Sequence, residues 1–196
     1  MTYFPGTIGA WGFQAKASIY DPVKGHTGTD YMMKSGTALT CPVDGIVKKQ
    51  LSQNEMGNTL YIQDNSGNIH VFAHLSEFKC KVGSKVIKNN LIALSGSSGK
   101  YGSPAHLHYE IISKTPEPGN EFMTRSLAGY NGYNIDPEIF LKSQTMPTTE
   151  YLSDWAKSAK ENMVKIGVTD GKDPQKAVTR EECWVMLDRL LTYIVK

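Results

Sequence analysis

The chain has 196 residues, 40% of them hydrophobic and 20% charged, which describes one folded domain of ordinary size plus a small appendage and excludes a disordered chain. A net charge of +2 is too mild to argue for nucleic acid, though it suits an anionic polymer such as a bacterial wall. No apolar run approaches the roughly 18 residues a membrane span needs, so no membrane insertion is expected.

In chain order, the start MTYFPGTIGAWGF has neither a basic stretch nor a long apolar core, so no secretory leader is expected. Candidate strands follow at ALTCPVDGIVKKQL (38–51), NTLYIQD (58–64), NIHVFAHL (68–75), NLIALSG (90–96) and HLHYEII (106–112). Turn signals such as DNSGN (64–68) and SGSSGKYGSP (95–104) separate them, and no long helical pattern interrupts. This predicts a mainly β, antiparallel domain over residues 1–143. SQTMPTTE reads as a linker, with the boundary set at residues 144–149. Beyond it the period changes. Trp155, Ala159, Met163 and Ile166 recur at helical spacing before Gly167, and Thr179 with Glu182 forms a capping box ahead of a second apolar stripe. Residues 150–196 are therefore expected to form a small α-helical hairpin. Two such helices bury little core alone, so their apolar stripes need a partner: the β domain, the target or a second copy of the chain.

Three cysteines, Cys41, Cys80 and Cys183, are odd in number and widely spaced. They form no disulfide framework and no C-x-x-C zinc pair, and read as buried free thiols made in a reducing compartment.

The chemistry gathers at the five histidines. In the strand HLHYE, His106 and His108 share one face while Leu107 and Tyr109 point the other way. Upstream, GHTGTD places His26 and Asp30 with three residues between them, and Gly25 and Gly28 allow close approach. Neutral imidazole and carboxylate are zinc donors, and a catalytic zinc site takes three protein ligands plus an open position. His26, Asp30 and one of the later pair supply that number, and zinc would lower the pKa of its water to about 7. His70 and His74 in HVFAH have the i, i+4 spacing of a zincin, but Val71 follows His70 where that motif needs glutamate, and the segment alternates as a strand. His74 is expected as a second-sphere or catalytic histidine, and His70 as a solvated or edge histidine.

G-H-x-G-x-D, A-H-L-S and H-L-H-Y-E, in this order, resemble the lysostaphin/LytM-type zinc metallopeptidases, and the likeness extends over about 110 residues, roughly 20–140. The resemblance implies that His26, Asp30 and His108 are the zinc ligands. It implies that His74 and His106 hold and deprotonate the water and later protonate the leaving amine. Tyr20, six residues before His26, is similar to a tyrosine that stabilises the oxyanion in some members; its other reading is a packing aromatic. One departure is Pro104-Ala105 where the family often has Gly-Pro. The implied activity is hydrolysis of peptide cross-links in bacterial peptidoglycan. A wall-binding or regulatory module on the same scaffold, and a muropeptide carboxypeptidase, are the alternatives. The loops SGSSGKYGSP (95–104) and LAGYNGYN (127–134) are candidate groove walls.

The C-terminal segment, with GVTDG and VTREE, resembles a single surface-layer-homology (SLH) unit whose middle is shortened to KDPQ. Such units bind wall polymers, normally as several copies, so homodimer formation through residues 150–196 stands beside wall binding. The whole is expected to be a phage-type endolysin, made in the host cytoplasm and acting at the wall after release.

Overall fold

The computed structural model describes residues 3–16, 25–145 and 164–165. The chain divides into two compact units, Met1–Gln144 and Thr145–Lys196. The helical hairpin read for 150–196 lies outside the described residues, apart from the exposed helical residues Val164 and Lys165.

The strands are β1 (Thr7–Ile8), β2 (Thr29–Met32), β3 (Ala38–Thr40), β4 (Gly45–Gln53), β5 (Gly57–Asp64), β6 (Ile69–Leu75), β7 (Glu77–Phe78), β8 (Lys85–Val86), β9 (Leu91–Leu94), β10 (His106–Ser113), β11 (Thr124–Leu127) and β12 (Tyr130–Ile135), followed by the helix α1 (Pro137–Thr145). The main sheet runs β1-β2-β10-β6-β5-β4-β8, and a small one runs β3-β9-β7. Pairing is antiparallel throughout the described residues, as the turn-separated runs predict. No described helix is long and apolar enough to cross a membrane.

β10 is the hub. The first half of one edge pairs with β2, the second half of that edge with β12, and the other edge with β6. Every residue of β10 and of β6 is buried, so both faces of the sheet centre are covered. One face carries the larger core, where Phe4 packs edge-on against Tyr31, Phe72 and Tyr109 with ring centroids 5.0–6.1 Å apart. Such aromatic pairs add about 0.5–1.5 kcal/mol each beyond the area they bury. On the other face Tyr61, Ile69, Val71 and Ile112 form a smaller cluster.

Three expectations are corrected by the fold. The segment 127–134 is not a loop: it forms most of the β11–β12 hairpin, turning at Ala128 and Gly129. Both turn residues have positive φ, +52° and +84°, as a two-residue hairpin turn requires. A helix, α1, closes the β unit where no helix was expected. Asp136 caps it, its Oδ1 accepting from the Glu138 N–H at 2.8 Å, and Pro137 sits at the first helical position. Finally, His70 is not solvated. Its register partner is Ile111, on the core face, where it is fully buried. Tyr109 donates its hydroxyl to Nδ1 at 2.6 Å, and Nε2–H donates to Asp64 at 3.2 Å. A neutral imidazole satisfies both bonds. Of the thiols, Cys41 is buried and Cys80 half-buried, both free; Cys183 lies outside the described residues.

Candidate active site

The register of β10 decides which side chains meet. His106 stands opposite Met32, and His108 stands between Asp30 on β2 and Ala73 on β6. Directly opposed residues share a face, so His108 and Asp30 project together, away from the core that takes Leu107 and Tyr109. The preceding residues 25–28 bring His26 onto the same spot. Gly28 is forced there: a Cβ would lie 2.4 Å from the Tyr109 carbonyl oxygen and 3.0 Å from the His108 ring. Gly25, at φ +74°, makes the turn into the motif beside the Gln14 carbonyl.

His26 Nε2, His108 Nδ1 and Asp30 Oδ1 form a triangle of 2.9, 2.9 and 3.4 Å, with all three residues buried. The tautomers follow from what lies behind each ring. His26 Nδ1 faces the Gly12 carbonyl at 3.2 Å and must donate to it, leaving Nε2 as an acceptor. His108 Nε2 faces the Glu110 carboxylate at 3.4 Å and must donate to it, leaving Nδ1 as an acceptor. Two imidazole lone pairs and a carboxylate oxygen thus converge with no hydrogen of their own between them, and only a cation satisfies that arrangement. Four ligands at about 2.0–2.1 Å in a tetrahedron stand about 3.3–3.4 Å apart, close to the observed triangle. The residues fit zinc, with two nitrogens and one oxygen as donors and a second acceptor behind each imidazole.

The charges agree. Burial works against the charged form of His108, but its bonds to Asp30 and Glu110 outweigh it and push the pKa up to about 9. Burial likewise works against ionised Asp30 and Glu110, yet both are held far below the ordinary carboxylate range. His108 and His26 do this for Asp30, and Arg125 and His108 do it for Glu110.

His74 reaches the site by breaking the strand. At regular alternation it would share the core face of His70 and Phe72. Between Asn58 and Leu60 of β5, however, β6 advances from Leu75 to Phe72, one residue too many for regular pairing. His74 itself has φ +59°. This bulge turns its side chain to the metal side, where its ring centroid lies 4.6 Å from that of His106. His74 Nδ1 donates to the Ser98 carbonyl at 2.9 Å, and His106 Nδ1 to the Pro104 carbonyl at 2.7 Å. Each neutral ring therefore keeps Nε2 as an acceptor. His106 Nε2 stands 3.7 Å from Asp30 Oδ2, beside the triangle. Burial, with help from the neighbouring histidines, pushes His74 down to about 4.

The structure therefore brings His26, Asp30, His108, His74 and His106 together; Tyr20 lies outside the described residues. They line a groove of about 790 Å³. Its walls include Trp11, Glu55, Lys100, Tyr101, Pro104 and Arg125. The wall expected from 95–104 is present, whereas that expected from 127–134 is supplied instead by Thr124, Arg125 and Ser126. Sequence reasoning missed Glu110 and Arg125. The signal for Glu110 was in HLHYE itself: it lies two residues beyond His108, on the histidine face. Arg125 carried none, because its partner is 15 residues away across an unrecognised hairpin.

Residues 24–120 match the family model of Peptidase family M23. The chain is 38% identical over 87 residues to peptidoglycan DD-endopeptidase ShyA of Vibrio cholerae, covering 44% of this chain and 20% of that protein. It is 35% identical over 121 residues to glycyl-glycine endopeptidase ALE-1 of Staphylococcus capitis, covering 60% of this chain and 29% of that one. The chain thus spans less than a third of the length of either relative. Among solved structures, the catalytic domain of lysostaphin from Staphylococcus simulans superposes with a TM-score of 0.55 at 25% identity, over 67% of this chain and 90% of that one. Family match, sheet order and converging donors fall on the same residues: the part of the β unit that holds the candidate site is similar to peptidase family M23.

Proposed function

We propose that the chain is a zinc endopeptidase that hydrolyses peptide cross-links of bacterial peptidoglycan. One observation carries the reading: three inward-facing acceptors, from His26, Asp30 and His108, lie beside two histidines whose Nε2 atoms are unprotonated in the neutral ring. Zinc, when bound there, supplies Lewis acidity, acidifying water and polarising a carbonyl. The protein's own groups do the rest. His26, Asp30 and His108 would hold the ion, giving a site charge of +1 that favours an oxyanion. His106 and His74 offer Nε2 to the proton of the attacking water and return it to the departing nitrogen. The groove presents polar groups from Lys100, Tyr101, Ser126 and Arg125 along its walls, which suit a peptide backbone. Tyr20 is a candidate for further oxyanion stabilisation, on resemblance alone.

The two relatives act on different bonds by name, one a DD-endopeptidase and the other a glycyl-glycine endopeptidase. Walls with direct and with glycine-bridged cross-links, digested by the zinc-loaded chain and read by mass spectrometry, test the proposal and identify the bond. Cleaved cross-links are expected. Loss of terminal D-alanine alone, or wall binding without cleavage by zinc-loaded protein, would overturn it.

The finer reading is an endolysin that reaches the wall after release from the cytoplasm, with residues 150–196 attaching it to wall polymer or pairing two copies. Its support is the SLH-like pattern of that segment next to a wall-peptidase domain. Sedimentation of the full chain, with and without purified walls, separates attachment from pairing.

A further inference from the structure

Resting on the reading of His108 as a zinc ligand, we propose that Glu110 and Arg125 are a positioning pair that holds the His108 ring with Nδ1 toward the metal. Glu110 is completely buried and shares the face of His106 and His108. All its visible partners point to one task. Its Oε2 stands 3.4 Å from His108 Nε2 and accepts from Thr27 Oγ1 at 2.8 Å. Arg125 closes on it as a fork, Nε to Oε1 at 2.8 Å and Nη2 to Oε2 at 3.3 Å. The carboxylate therefore cannot swing away from the imidazole without breaking three donor contacts.

Chemistry explains why both members are needed. A carboxylate behind a ligating histidine fixes its tautomer and ring angle and strengthens its donation to the metal. A second carboxylate next to Asp30 would also add a negative charge beside the site. The guanidinium of Arg125 cancels that charge, so the balance at the metal is set by Asp30 alone. Burying such a pair for packing only is a poor choice, since apolar residues of similar size commonly serve as well or better.

The pair also ties three segments into one unit. Thr27 lies between the ligands His26 and Asp30, Glu110 follows the ligand His108 on β10, and Arg125 belongs to β11, whose residues Thr124–Ser126 line the groove. The metal-bearing segments and one groove wall meet at a single carboxylate.

The test is zinc affinity in the full chain, measured by competition with a chromophoric chelator, together with the visible spectrum of the Co(II)-loaded protein and the melting temperature. Glu110→Gln is expected to weaken zinc binding about 10- to 100-fold and to shift the cobalt bands. Arg125→Lys, which keeps the charge but not the fork, is expected to weaken it in the same direction by about 10-fold. A folded Glu110→Gln with wild-type zinc affinity and unchanged cobalt bands would overturn the proposal, and a lowered melting temperature alone would mark the pair as merely structural. Should Glu110→Gln not fold, Thr27→Val removes one of the donors that fix Oε2. Weakened zinc binding there supports the proposal, and unchanged binding overturns it. Wild-type protein that binds no zinc would refute the parent reading as well, which separates the two failures.

Discussion

Behind each of four imidazoles in the groove stands one oxygen acceptor: the carbonyls of Gly12, Ser98 and Pro104 for His26, His74 and His106, and the Glu110 carboxylate for His108. Those acceptors divide the labour. His26 and His108 aim lone pairs at each other and at Asp30, while His74 and His106 keep theirs beside the triangle. Alanine variants should therefore fall into two groups. His26→Ala, Asp30→Ala and His108→Ala are expected to lose bound zinc and peptidase activity together. His74→Ala and His106→Ala are expected to retain zinc, by elemental analysis, while kcat falls by about 10²–10⁴. Zinc loss in the second group would return those histidines to the ligand set. The H-x-H face and the G-H-x-G-x-D loop were legible in the sequence because strand alternation places i and i+2 together whatever the tertiary context. Which nitrogen each ring presents was not legible, since that depends on carbonyls remote in sequence, such as Ser98 for His74.

In β6, His70 and His74 lie four apart and at regular alternation would share a face, yet one sits in the core and the other in the groove. The bulge separates them, and periodicity holds no trace of it: an extra residue in one strand shows only against its neighbour's register. Alternation also says which face a residue takes, but not whether that face is covered, and so the sequence reads His70 as a solvated or edge histidine. The β11–β12 hairpin escaped because its Gly, Asn and Tyr content resembles a loop, and α1 escaped although Asp136-Pro137-Glu138 carries a helix-start signal, because its nine residues are too short to show a clear helical period. The burial of His70 has a consequence for pH. Burial pushes its pKa below the usual value, outweighing the bond to Asp64 that raises it. A group depressed in the folded state contributes its full stability above the unfolded value of about 6.5, and that stability is lost as pH falls. Between pH 7 and pH 5 the zinc-loaded protein should lose stability with a contribution from His70 of up to about 1.4 kcal/mol per pH unit. Chemical denaturation of wild type and His70→Gln across this window measures it. A shallower slope in the variant is expected, and identical slopes would assign the effect elsewhere.

The sheet order makes β10 the member on which everything else depends, because β2, β6 and β12 all pair with it and two of the site histidines ride on it. The end of the β unit is fixed by α1 rather than by the linker composition that marked residues 144–149. Leu141 is 2% exposed and belongs to the larger core, Phe140 packs on His70 with centroids 5.2 Å apart, and Lys88 Nζ donates to the Gln144 carbonyl at 2.6 Å. The helix is thus part of the β unit. This gives different expectations for two truncations. A chain ending at Thr145 keeps all three contacts and should bind zinc as tightly as the full chain and cleave a short soluble peptide at the same kcat. A chain ending at Asp136 removes Leu141 and uncovers His70. Losing a buried leucine alone costs about 2–5 kcal/mol, a large share of the 5–15 kcal/mol that holds a typical domain together. Its denaturation midpoint should drop accordingly, with zinc affinity falling as β6 and β10 loosen. If the chain ending at Thr145 also unfolds, residues beyond 145 are part of the same cooperative unit, and the division of the chain into a peptidase and a separate C-terminal module fails.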